Sequence, residues 1–219
     1  MRQLAKTEFL KSTTFLALTC VMLLACKDDD LTGQKPLSTV EDRSNGEVVL
    51  TTEQVVMVQN AIGPVIVDWG GDSTKVSWFL NKQVSVYDDD TREARAQLNS
   101  IQLTNRLNGD TVIFASVYPA DMSRFIYTAL VSLSVPYRKK CYVNGVSGKT
   151  TISNLGGDVM VRNAHGVKVA GLNASCDVAS IDGGDTIEVA IPVGGLCNIV
   201  AGTGNVLLRI PSSTSATLG

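Results

Sequence analysis

Val146–Gly171 reads VSGKTTISNLGGDVMVRNAHGVKVAG, and the texture of this stretch decides the fold. Apolar and polar residues alternate in short runs, the period of a strand with one buried face. Each run ends at glycine or asparagine, which tolerate the backbone conformations of tight corners. The texture continues downstream through Cys176–Ser180, Thr186–Ala190, Cys197–Ala201 and Asn205–Ile210, and twelve of the 19 glycines lie between Gly145 and Gly204. Corresponding apolar positions Ile152, Val159, Val167, Val178, Ile187, Ile199 and Leu207 are 7, 8, 11, 9, 12 and 8 residues apart. Short strands with glycine turns at this spacing predict a repetitive β architecture. In a β-solenoid, inward positions would stack as ladders of Val, Ile and Leu. Bulky rings fit such narrow layers poorly, and no aromatic residue follows Tyr142. A β-sandwich with hairpin connections is the alternative. Dense glycine with few two-residue hairpin turns favours the solenoid.

Upstream, β-branched runs occur at Glu47–Leu50, Gln54–Gln59, Pro64–Asp68 and Lys75–Phe79. Thr91–Ser100 (TREARAQLNS) is rich in Ala, Arg, Glu and Gln and predicts one short helix. Strands resume at Ile101–Asn105, Thr111–Ser116 and Thr128–Val135, with Asn108-Gly109-Asp110 as a hairpin turn.

Several segments together resemble the adhesin-like β-repeat family of bacteria. They are Gln54–Asp68 (QVVMVQNAIGPVIVD), Leu133–Pro136 (LSVP), Val146–Gly157, Asp158–Gly171 and Val206–Leu218 (VLLRIPSSTSATL). The family is marked by strings of strand, Asn-x-x-Gly, strand, and by an Ile-Pro-x-x-Thr-Ser-Ala ending. The resemblance covers about residues 47–219 and implies a β-solenoid-like domain exposed at the cell envelope. Relatives usually continue with a further Gly-turned strand where this sequence stops, at Gly219. The expectation is a strand edge open to self-association or to a partner.

The N-terminus bears on location. Ser12–Ala25 is an uncharged run of 14 residues after Arg2, Lys6 and Lys11, the layout of a secretion signal. It is short of the roughly 20 residues that span a bilayer. Leu23-Leu24-Ala25-Cys26 resembles the lipobox of bacterial lipoproteins, which implies cleavage before Cys26 and lipid on that residue. Lys27-Asp28-Asp29-Asp30 is similar to the tag that sends Bacteroidota lipoproteins to the outer face of the outer membrane. The expected organisation is a signal peptide over 1–25, a flexible tether over 26–45 and a β-repeat domain over 46–219. That domain divides into an aromatic-containing part to 142 and glycine-rich repeats from 143. The location expected is the outer membrane, at the cell surface, with its periplasmic face as the alternative.

Whole-chain charge is −2; losing the signal leaves 16 cations and 20 anions, a net −4. A mildly acidic protein without clustered Lys and Arg is a poor nucleic-acid binder. Cys141, Cys176 and Cys197 are odd in number and match no zinc spacing. They read as buried small residues, with a Cys176–Cys197 disulfide as the alternative if the two lie on stacked turns.

No constellation for catalysis stands out, and no metal or cofactor is expected. Asp158, Asp177, Asp182, Asp185 and Glu188 lie mostly beside glycine turns, where a carboxylate usually bonds its own backbone. His165, the single histidine, falls in a predicted turn. Asp88-Asp89-Asp90 reads as an exposed acidic loop. Trp69, Trp78, Phe79 and Tyr87 read as core. The candidate contact surface for a glycan or protein ligand is the loop Tyr118–Tyr127 (YPADMSRFIY), through Tyr118, Arg124 and Phe125.

Overall fold

The structure, a computed structural model, describes residues 37–51, 54–87, 91–120, 123–182, 184–191 and 195–212. Cys26, Asp28–Asp30 and Asp88–Asp90 lie outside them. The described chain is nearly all β. Its strands are β1 (Leu37–Val49), β2 (Val55–Ala61), β3 (Val65–Trp69) and β4 (Lys75–Tyr87), then helix α1 (Arg92–Leu98), β5 (Gln102–Asn108), β6 (Thr111–Val117) and β7 (Ile126–Val135). There follow β8 (Lys140–Ser153), β9 (Val159–Leu172), β10 (Cys176–Ser180), β11 (Asp185–Val189), β12 (Cys197–Ala201) and β13 (Val206–Arg209). All thirteen strands belong to one curled, mixed sheet.

Two parallel stacks make up most of it. One runs β6, β2, the first half of β8, the first half of β9, β10, β12. The other runs β7, β3, the second halves of β8 and β9, β11, β13. The chain therefore gives one strand to each stack at every level, and each such pair is a rung. The rung β6/β7 lies outside β2/β3 although it follows them in sequence, and antiparallel β5, β4 and β1 extend that end. The core is one cluster of buried side chains. Its ladders are in register: Phe114, Val58, Val143, Val161, Val178 and Ile199 in the first stack, Leu133, Val67, Ile152, Val169, Ile187 and Leu208 in the second.

The Asn-x-x-Gly motifs are corners. Asn60, Gly145 and Asn163 are at equivalent places where the chain bends from the first stack to the second, and all three have positive φ (56°, 68° and 52°). Asn and Gly visit this left-handed region at lowest cost. The next residue, Ala61, Val146 or Ala164, is fully buried. Asn154 and Gly171 repeat the device at the other end of β8 and β9, followed by buried Leu155 and Leu172.

Several expectations change. Residues 37–45, read as tether, form most of β1, paired from Leu37↔Tyr87 to Val49↔Lys75. Leu207 is exposed, and Leu208 takes the inward register beside Ile187 instead. The helix stands where it was expected, with Ala94 and Leu98 buried. A helix of seven residues is held by that packing, not by propensity.

Candidate functional site

Among the described aromatics, Trp69, Phe79 and Tyr87 are exposed, so the expectation that they complete the core fails for three of the four residues read that way. Trp78 alone is partly buried against the core. In β4 alternation is the reason: it sends Trp78 inward, so Phe79 and Tyr87 face out, whereas Trp69 is exposed because it stands at the end of β3.

Trp69 is 54% exposed at the end of β3, and Tyr137 is 40% exposed just beyond β7. Their rings meet edge to face, centroids 6.2 Å apart at 72°. Pro136 cannot continue the ladder of β7, and the chain turns, Lys139 N–H donating to the Pro136 carbonyl at 3.1 Å. Tyr137 is seated on Gly156. The Gly156 N–H donates to the Tyr137 carbonyl at 2.8 Å, and a Cβ on Gly156 would lie 2.3 Å from the ring. Only glycine leaves that space. On the other side, Asp68 Oδ1 accepts from Trp69 N–H at 2.8 Å and from Asn154 Nδ2 at 3.0 Å. Beside the rings opens a depression of about 400 Å³ lined by Gln54, Ser73, Pro136, Tyr137, Arg138 and Lys139.

Trp69 at the end of β3 and Tyr137 in the turn after β7 form an exposed aromatic corner, and Arg138 adds a guanidinium fork. Such a surface can hold a ring-shaped or apolar ligand bearing an anionic group. The sequence reading passed over it. Its visible signal is an aromatic residue inside a basic run, Tyr137-Arg138-Lys139-Lys140, straight after a proline.

The loop singled out from the sequence is built differently. Phe125 is only 9% exposed and belongs to the core, in edge contact with Tyr127. Tyr118 is partly buried, and its hydroxyl accepts from Ile62 N–H at 2.8 Å. Burial pushes its phenol above the ordinary value of 10.0. Arg124 is exposed, stacked over the Phe125 ring at 5.7 Å and paired with Glu93 at 3.1 Å. Of the three side chains only Arg124 is exposed, and it is engaged by Glu93 and the Phe125 ring.

The repeat-region carboxylates tie rungs together. Asp177 accepts from Arg162 and, at 3.1 Å, from Asn198, so β9, β10 and β12 are cross-linked along one outward row. The Arg162 guanidinium holds the Asp177 carboxyl below its ordinary value. Asp182 meets His165 Nδ1 at 2.9 Å and accepts from Gly166 N–H at 3.2 Å; the His165 contact lowers its pKa. Asp185, 1% exposed, accepts from Val167 N–H at 2.8 Å and Ser180 Oγ at 2.5 Å. These carboxylates reach beyond their own turns: Asp182 and Asp185 accept from backbone of the preceding rung, Asp158 accepts from Ser175 N–H of the following turn at 3.4 Å, and Asp177 is held by side chains. Among the described residues no group of three His, Cys, Asp or Glu side chains is placed to hold a metal ion, and no helix is long and apolar enough to cross a membrane.

No protein family and no curated protein matches the sequence. Some solved structures are similar in structure, at low sequence identity. A "putative cell adhesion protein" from Clostridium sporogenes is similar at 9% identity and a TM-score of 0.42, over 78% of this chain and 100% of that one. A "putative adhesin" from Parabacteroides merdae is similar at 10% identity and a TM-score of 0.25, over 77% of this chain and 80% of that one. A "putative adhesin" from Bacteroides fragilis matches at 9% identity and a TM-score of 0.22, over 77% of this chain and 96% of that one.

Proposed function

We propose that this chain is a non-enzymatic, adhesin-like lipoprotein of the outer membrane, anchored through Cys26 and exposed at the cell surface. Its β domain works as a two-strand-per-rung solenoid that holds a binding face away from the membrane. The ligand is an acidic saccharide: a pyranose ring packs into the corner between Trp69 and Tyr137, and its carboxylate or sulfate meets Arg138. The observation that carries this reading is the exposed Trp69–Tyr137 pair beside a depression edged by Arg138 and Lys139. Aromatic rings at such a corner lose little entropy on binding, because the scaffold already fixes them.

The test is binding of acidic and neutral oligosaccharides to the purified protein and to the Trp69→Ala/Tyr137→Ala and Arg138→Gln variants. The aromatic double variant should lose binding at least about tenfold, a difference of ~1.4 kcal/mol. The Arg138 variant should lose the preference for acidic over neutral sugars. Equal affinity of all three proteins for every saccharide bound would overturn the site.

A second reading is favoured by one further observation. β12 and β13 each pair on one side only among the described residues, and Leu196, Val200, Val206 and Leu207 are exposed there. In this reading the chain adds a strand from a partner envelope protein, or from a second copy, at that edge. Cross-linking from cysteines introduced in β13 would capture one stoichiometric partner in cells if so, and nothing specific if the saccharide reading is complete.

A further inference from the structure

We propose that Cys176 and Cys197 close a disulfide that fastens the β12/β13 rung to the rest of the sheet. The two residues are direct register partners on the parallel neighbours β10 and β12. Adjacent strands lie about 4.8 Å apart, inside the Cα separation a disulfide spans. The Sγ atoms are 2.7 Å apart, nearer to a covalent S–S bond of about 2.05 Å than two unbonded sulfurs normally approach. Register also settles which cysteines pair. Cys141 lies in the same inward ladder, but Val159 stands between it and Cys176. The odd thiol is therefore Cys141, fully buried and pushed up to about 12 by that burial, too high to react in the folded protein.

The site is reachable. Cys176 lines an open depression of about 200 Å³ together with Tyr142, Met160, Asp177, Leu196 and Asn198, and Cys197 is only half-buried. Oxidation needs a disulfide donor such as oxidised glutathione or a thiol oxidoreductase of the envelope. The Cys197 thiolate, favoured by the hydrogen bond from the Cys176 thiol, attacks one donor sulfur and releases the first donor thiol. Cys176 then gives up its proton and displaces the second donor thiol. Two protein thiols are oxidised, one donor disulfide is reduced, and the two hydrogens leave with the donor.

The consequence is mechanical. The bond closes a loop that contains β11, so β12 cannot leave β10 without carrying the crossing strand with it. Neither β12 nor β13 has a fully buried side chain.

The chain contains no Lys or Arg between Lys168 and Arg209, so trypsin releases both cysteines in one peptide and Cys141 in another. The full-length protein, from membranes and after incubation with oxidised glutathione, is alkylated while denatured, without and with reduction. The expected result without reduction is an unlabelled 169–209 peptide, lighter than its dithiol by two hydrogens, beside labelled Cys141. Reduction should restore both labelling sites and raise the rate of proteolysis within 195–212 several-fold. The Cys197→Ser variant should show a labelled Cys176 and the fast cleavage under both conditions. Labelling of Cys176 and Cys197 without reduction after glutathione treatment, or two glutathione adducts on the peptide, would overturn the pairing.

Discussion

The β9 rung and the β12/β13 rung carry the same kind of sequence and differ in what that sequence achieves. In β9, Val159, Val161, Val167 and Val169 are all buried, because β8 covers one side and β10 or β11 the other. In the last rung the equivalent Cys197, Ile199 and Leu208 are only partly buried, and Val200, Val206 and Leu207 are exposed. An alternating strand therefore states which face should be apolar. How far that face is removed from water depends on having a neighbour on each side. The proposed Cys176–Cys197 bond would fasten this half-covered rung to β10.

The largest effect that would break this comparison comes from truncating an inward isoleucine at two levels, one from each ladder. Ile152→Ala, in the middle, should cost about 2–5 kcal/mol. Ile199→Ala, at the end, should cost about 1 kcal/mol. Urea titrations of both variants check it, and equal losses would mean that the last rung is packed as tightly as the middle. A smaller effect concerns the corners. Asn163→Ala places an ordinary side chain at φ 52° and removes the bond from Asn163 Nδ2 to Asn144 at 2.9 Å. It should cost about 1–2 kcal/mol, whereas Asn163→Gly should lose only a fraction of that. Thermal midpoints falling equally for both variants would show that the hydrogen bond, not the left-handed backbone, sets the corner.

The smallest effect sharpens the comparison by pH. Asp177 and Asp182 tie β10 and the following turn to β9, and both carboxyls are held below their ordinary 3.8, by Arg162 and by His165. A lowered folded pKa gives stability that is present above the unfolded value and lost as pH falls through the folded one. Below about pH 4 the outer rungs should therefore loosen before the β8/β9 centre, by a small margin because both pairs are largely exposed. Amide exchange measured at about pH 5 and about pH 3 should show faster opening in β10–β13. The Asp177→Asn/Asp182→Asn protein should lose that difference; if it persists, other carboxylates carry the pH response.

Much of this arrangement is readable in one dimension. Alternation located β10 and β12 to the residue, Asn-Gly-Asp located the β5–β6 turn, and the Asn of each Asn-x-x-Gly proved to be the left-handed corner. The candidate site was not readable. Trp69 and Tyr137 are 68 positions apart in the chain and meet only because β3 pairs with β7. In the loop 118–127, Phe125 has a core to enter, which its own neighbours in sequence do not reveal.

By itself, then, the sequence determined the all-β class, the positions of most strands and corners, and the resemblance of its N-terminus to a lipoprotein signal. These depend on short-range preferences: a two-residue period, the cost of a left-handed backbone, the apolar length before a cysteine. Tertiary structure decided that 37–45 joins the sheet, that β6/β7 lies outside β2/β3, which aromatics face water, and that Cys176 faces Cys197 and not Cys141. Each of those is a choice of neighbour between segments far apart in the chain, and that choice is made by burying the whole set of ladders at once.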